Sequence, residues 1–94
     1  MLIEIFSIDC RLLSGNINSV IFPGSDGSFQ IFKDHAPIVS TLRKGKIVID
    51  GEVTVEDKAY INIYNIEKQK KKTFLHIESG LVEMKKNLVK VLIN

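Results

Sequence analysis

This chain is poor in the features that usually announce a function. It has one cysteine, Cys10, so no internal disulfide can staple it and a disulfide scaffold is excluded. It has no tryptophan, and aromatic residues make up 7%, which argues mildly against a stacking groove for sugars. The net charge of +2 is too small to argue for nucleic acid by itself. No run approaches the ~18 apolar residues needed to span a bilayer. The opening residues Met1 to Phe6 are interrupted by Glu4 and lack a basic lead, so they read as a strand and not as a signal peptide. No window sustains the i, i+3, i+4, i+7 spacing of an amphipathic helix. The natural compartment for such a chain is the cytosol.

What remains is short-range alternation. At 94 residues the chain is one domain, able to bury roughly 60–65% of its unfolded surface. Leu2 to Phe6 alternates with apolar residues on both faces, as in sandwich packing. Further strands are expected at 19–22, 29–32, 38–42, 46–50, 52–55, 59–66, 73–77, 81–84 and 88–93. Turns are expected at Lys44-Gly45-Lys46 and Lys85-Lys86-Asn87, and Asp50-Gly51 carries a short-range hairpin signal. The pattern predicts an all-β, antiparallel β-sandwich of about ten short strands.

The stretch from Ile21 to Gly45 holds both prolines and three of the six glycines. Gly24 and Gly27 bracket Ser25-Asp26, a turn-forming cluster. Pro37 disfavours helix at Ala36, making His35-Ala36-Pro37 a second corner. Two corners so close together predict a compact surface loop of fixed shape, which usually serves contact.

The same stretch carries a resemblance. Pro23-Gly24-Ser25-Asp26-Gly27, then His35-Ala36-Pro37 and an aliphatic run closing on Gly45, resembles the epsilon subunit of rotary (F-type) ATP synthases, specifically its N-terminal β-sandwich. Leu2 to Phe6 resembles that family's first strand, and Leu13-Ser14-Gly15 the turn after its second. Ser79 to Glu83 and Asn87 to Leu92 resemble its closing strands.

The resemblance implies a non-catalytic rotor component. It would join the gamma shaft to the membrane-embedded c-ring, so that proton- or sodium-driven rotation drives ATP synthesis elsewhere. It implies one copy per complex, on the cytoplasmic face of the inner (plasma) membrane, touching the membrane only through the complex. Asp26, Gly27, Ser28 and His35 match positions facing the ring loops. The family often has an acidic residue where Ser28 stands. Ser7, Ser40 and Lys46 match positions near gamma, with Lys46 replacing what is often an apolar residue. The family continues into a C-terminal helical hairpin that can inhibit hydrolysis and, in some relatives, bind ATP. This chain ends at Asn94, so no hairpin and no ATP site are expected. The family also connects Ile49 to Phe74 by a short loop, whereas here an inserted hairpin is expected at about 50–73.

Other motifs have plainer readings. His35 and His76, with Cys10 and Asp34, offer no metal-ligand spacing. Ser14, Ser40 and Ser79 lack a nucleophile-elbow context, and the glycines form neither a P-loop nor a dinucleotide fingerprint, so neither catalysis nor a cofactor is expected. Lys68, Lys70, Lys71 and Lys72 form a basic run without interleaved aromatics. It reads as a solvated hairpin tip that discourages edge aggregation, ahead of a contact with lipid headgroups or nucleic acid. The competing function is a free-standing β-sandwich module that binds a peptide or carbohydrate. A small enzyme or nucleotide-binding regulator is a further alternative.

Overall fold

One strand organises the molecule. In the computed structural model, which describes all 94 residues, Arg11–Gly24 forms a single strand of 14 residues, β2. The other strands are β1 (Leu2–Phe6), β3 (Gly27–Phe32), β4 (Ile38–Leu42), β5 (Gly45–Val55), β6 (Glu67–Gln69), β7 (Lys72–Ile77), β8 (Gly80–Lys85) and β9 (Leu88–Ile93). A five-residue helix, α1 (Ala59–Ile63), follows β5.

The first half of β2 lies between β1 and β5, and its second half between β3 and β5. β2 and β5 therefore run through both layers of the sandwich. The strand order is β1-β9-β8-β4-β2-β5-β7-β6, with β3 on β2 and β1 also paired to β2. A register shift between Ile17 and Ser19 makes the transition. Before it Leu13 and Ile17 are buried, with Leu12 also enclosed near the strand's start, and after it Val20 and Phe22 are the enclosed apolar residues, with Ser19 buried at the shift itself. A one-residue slip exchanges the faces of a strand, so the bulge at Asn18 lets one strand serve both layers. Twenty buried apolar side chains form one core, with Phe22, Leu75, Ile3 and Ile5 fully enclosed. Burying each such side chain contributes about 1.5–3 kcal/mol.

The all-β sandwich is as expected, with nine strands instead of about ten. It is not wholly antiparallel: β1 and β9 pair in parallel, from Leu2 opposite Leu88 to Phe6 opposite Leu92. Almost the whole chain separates these two strands, which satisfies the long connection a parallel pair requires. No helical hairpin follows β9 within the 94 residues.

Several local expectations need correction. Leu13-Ser14-Gly15 is not a turn but lies inside β2. A Cβ on Gly15 would collide with the Glu52 carbonyl oxygen and come within 2.7 Å of Val53 Cα, so glycine is there to admit β5. Asp50-Gly51 does not close a hairpin. Asp50 pairs with Ser19 on one side and Lys72 on the other, and Gly51 N–H donates to Lys71 O at 2.8 Å. Gly51 has φ +150°, and a Cβ there would approach Ile17 Cβ to 2.9 Å. It accommodates the bulge of β2 across the ladder. The Lys44-Gly45-Lys46 turn shifts back to Arg43-Lys44, because Gly45 already opens β5.

The 59–66 segment is not a strand. Asp57 Oδ1 accepts from Ala59 N–H at 2.9 Å and one helical turn follows. Asn65, at φ 49°, ends it, and Ile66 N–H donates to Ile61 O at 2.9 Å, a Schellman-type closure. Between 50 and 73 the one hairpin is therefore β6–β7, turning at Lys70-Lys71.

The two corners of the Ile21–Gly45 stretch do not form one loop. Ser25-Asp26 turns β2 into β3, and the His35 corner leads from β3 into β4. The six residues of β3 stand between them, about 17 Å of extended chain.

Candidate functional site

The sheet formed by β1, β9, β8 and β4 buries one face and exposes the other. Register brings Phe6, Leu92, Leu81 and Thr41 into one row across its outward face. Leu81 and Leu92 are 44% and 49% exposed, and Ile8 at the end of the sheet is 90% exposed. Ile8, Thr41, Leu81 and Leu92 line an open groove of about 520 Å³ together with the chain end at Asn94. A contiguous apolar patch of this kind marks a contact surface more often than isolated exposed leucines do. The next row, Glu4, Lys90, Glu83 and Val39, is largely charged and borders the patch.

The β2–β3 turn adjoins this groove. Ser25 N–H donates to Thr41 O at 3.0 Å, the two hydroxyls lie 2.8 Å apart, and Arg43 N–H donates to Pro23 O at 2.9 Å. These bonds tie the turn to the end of β4. Asp26, Gly27 and Ser28 are exposed on it. Gly27 has φ +129°, which favours glycine, with nothing within 4 Å of an added Cβ.

His35 stands apart from Asp26, at the other end of β3. Its ring Nδ1 lies 2.6 Å from Ala36 O. Asp34 and Asn87 fasten this loop to the β8–β9 turn: Asp34 N–H donates to Asn87 Oδ1 at 2.7 Å, and Asn87 Nδ2 donates to Asp34 Oδ1 at 2.9 Å. Lys86 and Asn87 both have positive φ, as a two-residue type I′ hairpin turn requires.

Ser7, Ser40 and Lys46 are not brought together on one face. Ser7 shapes the β1–β2 corner beside Ile8, accepting from Asp9 N–H at 3.4 Å and donating to Cys10 O at 3.4 Å. Ser40 is half-buried opposite Val82, on the inward side of β4, while its neighbours Val39 and Thr41 face out. Lys46 lies on the other layer, its Nζ 5.0 Å from the centre of the Phe74 ring. At the β1–β2 corner, beside Ser7, Cys10 Sγ lies 2.9 Å from Tyr60 OH. That hydrogen bond, with burial, pushes the phenol up to about 12.

Ile8, Leu81 and Leu92 were not picked out by sequence reasoning. Their signal was present as apolar residues out of phase with the buried ones, Leu81 before Val82 and Leu92 between Val91 and Ile93. No group of three or more His, Cys, Asp or Glu side chains is placed to hold a metal ion. No helix is long and apolar enough to cross a membrane.

Comparison with known proteins agrees with the geometry. The family model described as the ATP synthase delta/epsilon chain β-sandwich domain matches residues 1–63. The ATP synthase epsilon chain of Leptospira interrogans is 33% identical over 90 residues, which is 96% of this chain and 58% of that protein. The epsilon chain of Chlorobaculum tepidum is 56% identical over 44 residues, 47% of this chain and 50% of that one. This chain thus spans about half the length of the relatives it matches. The fold is shared with a chain in the central stalk/c-ring structure of the Tetrahymena thermophila mitochondrial ATP synthase, at a TM-score of 0.63 and 12% identity, covering 99% of this chain and 62% of that one. On the match over its first 63 residues and on these relatives, the chain belongs to the ATP synthase delta/epsilon family, of which it carries the β-sandwich domain.

Proposed function

We propose that this chain is a non-catalytic part of an ATP synthase central stalk, clamping the foot of the gamma shaft to the c-ring. The observation that carries this reading is the outward apolar row Phe6-Leu92-Leu81 capped by Ile8, a surface that core packing does not require. Gamma is its proposed occupant, with Ser7 at the rim. Asp26, Gly27 and Ser28 on the adjoining turn are the proposed ring contact, where Asp26 would pair with a basic loop residue. His35, at the far end of β3, lies outside that contact, and Ser40 and Lys46 contribute little to the gamma contact. A rotor part needs two partner surfaces held at a fixed relation, because only parts that rotate together can keep a lasting contact. The bonds between Ser25 and Thr41 supply that fixed relation here. One copy per complex, at the cytoplasmic face of the membrane, follows from this role.

The test is affinity capture of the tagged chain from gently solubilised membranes of its source, with mass spectrometry of what co-purifies. Gamma and c subunits should be recovered, and Leu81→Glu should lose gamma while remaining folded. Recovery of neither subunit by a folded chain would overturn the reading and favour the free-standing binding module.

A further inference from the structure

The segment between β5 and β7 forms a second cleft, separate from the surfaces above. Val53 and Val55 of β5, Ile61 of α1 and Ile66 at its exit wall a half-enclosed space of about 410 Å³. That is within the range of small-molecule pockets. Three polar residues, Thr54, Lys68 and Thr73, complete the lining. Lys68 and Thr73 stand directly opposite each other in the β6–β7 ladder, so their side chains share a face. Lys68 Nζ donates to Val53 O at 3.2 Å, which fixes the ammonium at the cleft and leaves two of its N–H groups free. Thr73 is 1% exposed, and its Oγ1 is buried without a hydrogen-bond partner.

A buried hydroxyl is rarely left unpaired, and its isolation in an apolar wall calls for a missing partner. That partner must accept a hydrogen bond, since the cleft already presents donors in Lys68 and Thr73. One cation facing a largely aliphatic space, with only hydroxyls as its other polar groups, suits a single negative charge on an apolar body. It does not suit a polyphosphate, which needs several cations. We infer that this cleft is a binding site for a small amphiphilic monocarboxylate. Its carboxylate would sit between Lys68 Nζ and Thr73 Oγ1 and its alkyl body against Val53, Val55, Ile61 and Ile66. α1 presents no buried residue and forms one wall of this half-enclosed cleft, so entry displaces no core side chain.

The probe is octanoate, titrated into the chain and followed by amide chemical shifts. Saturable shifts confined to β5, α1, β6 and the start of β7 are expected. Octanol, with the same body and no charge, should bind at least tenfold more weakly. Lys68→Met, at an exposed position, should reduce octanoate affinity at least tenfold and leave octanol binding unchanged. Thr73→Val should fold with an unchanged or raised Tm and also bind octanoate more weakly. Non-saturating shifts, shifts centred on Ile8, Leu81 and Leu92, or equal affinity for octanoate and octanol would each overturn the inference. The octanol comparison uses the unaltered chain, so it stands even if a variant fails to fold.

Discussion

The hydroxyls of Ser25 and Thr41 lie 2.8 Å apart, and this pair couples the β2–β3 turn to the apolar outer sheet. Thr41 lines the groove beside Ile8, while Ser25 opens the turn that presents Asp26. One residue of β4 thus belongs to both proposed contacts. Thr41→Val keeps the shape and removes the bond. Because the pair is exposed, the expected cost lies near the low end of about 0.5–1.5 kcal/mol. For a domain of this size each kcal/mol lowers Tm by roughly 4–8 °C. Calorimetry should find that small fall, together with weaker capture of both gamma and ring subunits.

Leu81 and Leu75 should separate binding from folding. Leu81 is 44% exposed on the outer row and Leu75 is fully buried. Leu81→Ala should change stability by no more than about 0.5 kcal/mol. Leu75→Ala leaves a cavity and should cost about 2–5 kcal/mol. Denaturant unfolding of the two variants checks the contrast, and equal losses would mean that Leu81 is part of the core.

Glycine substitutions should rank by space and not by location in a turn. Gly15→Ala drives a methyl into the β5 backbone and should prevent folding or lower Tm severely. Gly27→Ala meets no atom within 4 Å, so only its φ of +129° is strained. That should cost about 1 kcal/mol. Thermal melts of the two variants give the order directly.

The contact between Cys10 and Tyr60 predicts a late ionisation. Its hydrogen bond, helped by burial, holds the phenol at about 12, above the unfolded value of 10.0. A raised folded pKa means that this contact's contribution to stability is complete below pH 10 and disappears as pH rises through 12. An ultraviolet titration of the phenolate should show a step near 12 that Tyr60→Phe removes. If Tyr60→Phe instead removed phenolate absorbance appearing at the ordinary tyrosine value, Cys10 would not hold the phenol in solution.

Much of the fold was legible because a strand displays its two faces residue by residue. The signals of β1, β3, β4, β7, β8 and β9 are local alternations, and the structure preserves them within a residue or two. Glycines misled where their purpose was non-local. Gly15 and Gly51 resemble turn residues, but each makes room for a neighbouring strand distant in sequence. At 59–66 the alternation of Tyr60, Asn62 and Tyr64 concealed a helical pair. Tyr60 on α1 and Tyr64 at its C-cap stack edge-on at 6.2 Å, four residues apart.

An all-β domain, its family and the turns at Ser25-Asp26 and Lys86-Asn87 could be read from the residues alone, because these depend on patterns a few residues long. Which residues meet depends on the folded arrangement. It joined Ser25 to Thr41, parted Asp26 from His35 along β3, and turned Ser40 inward. It also laid Leu81 beside Leu92 and set Lys68 opposite Thr73. Those relations follow from strand register and from the bulge at Asn18, which depend on packing across the whole chain and leave no local mark.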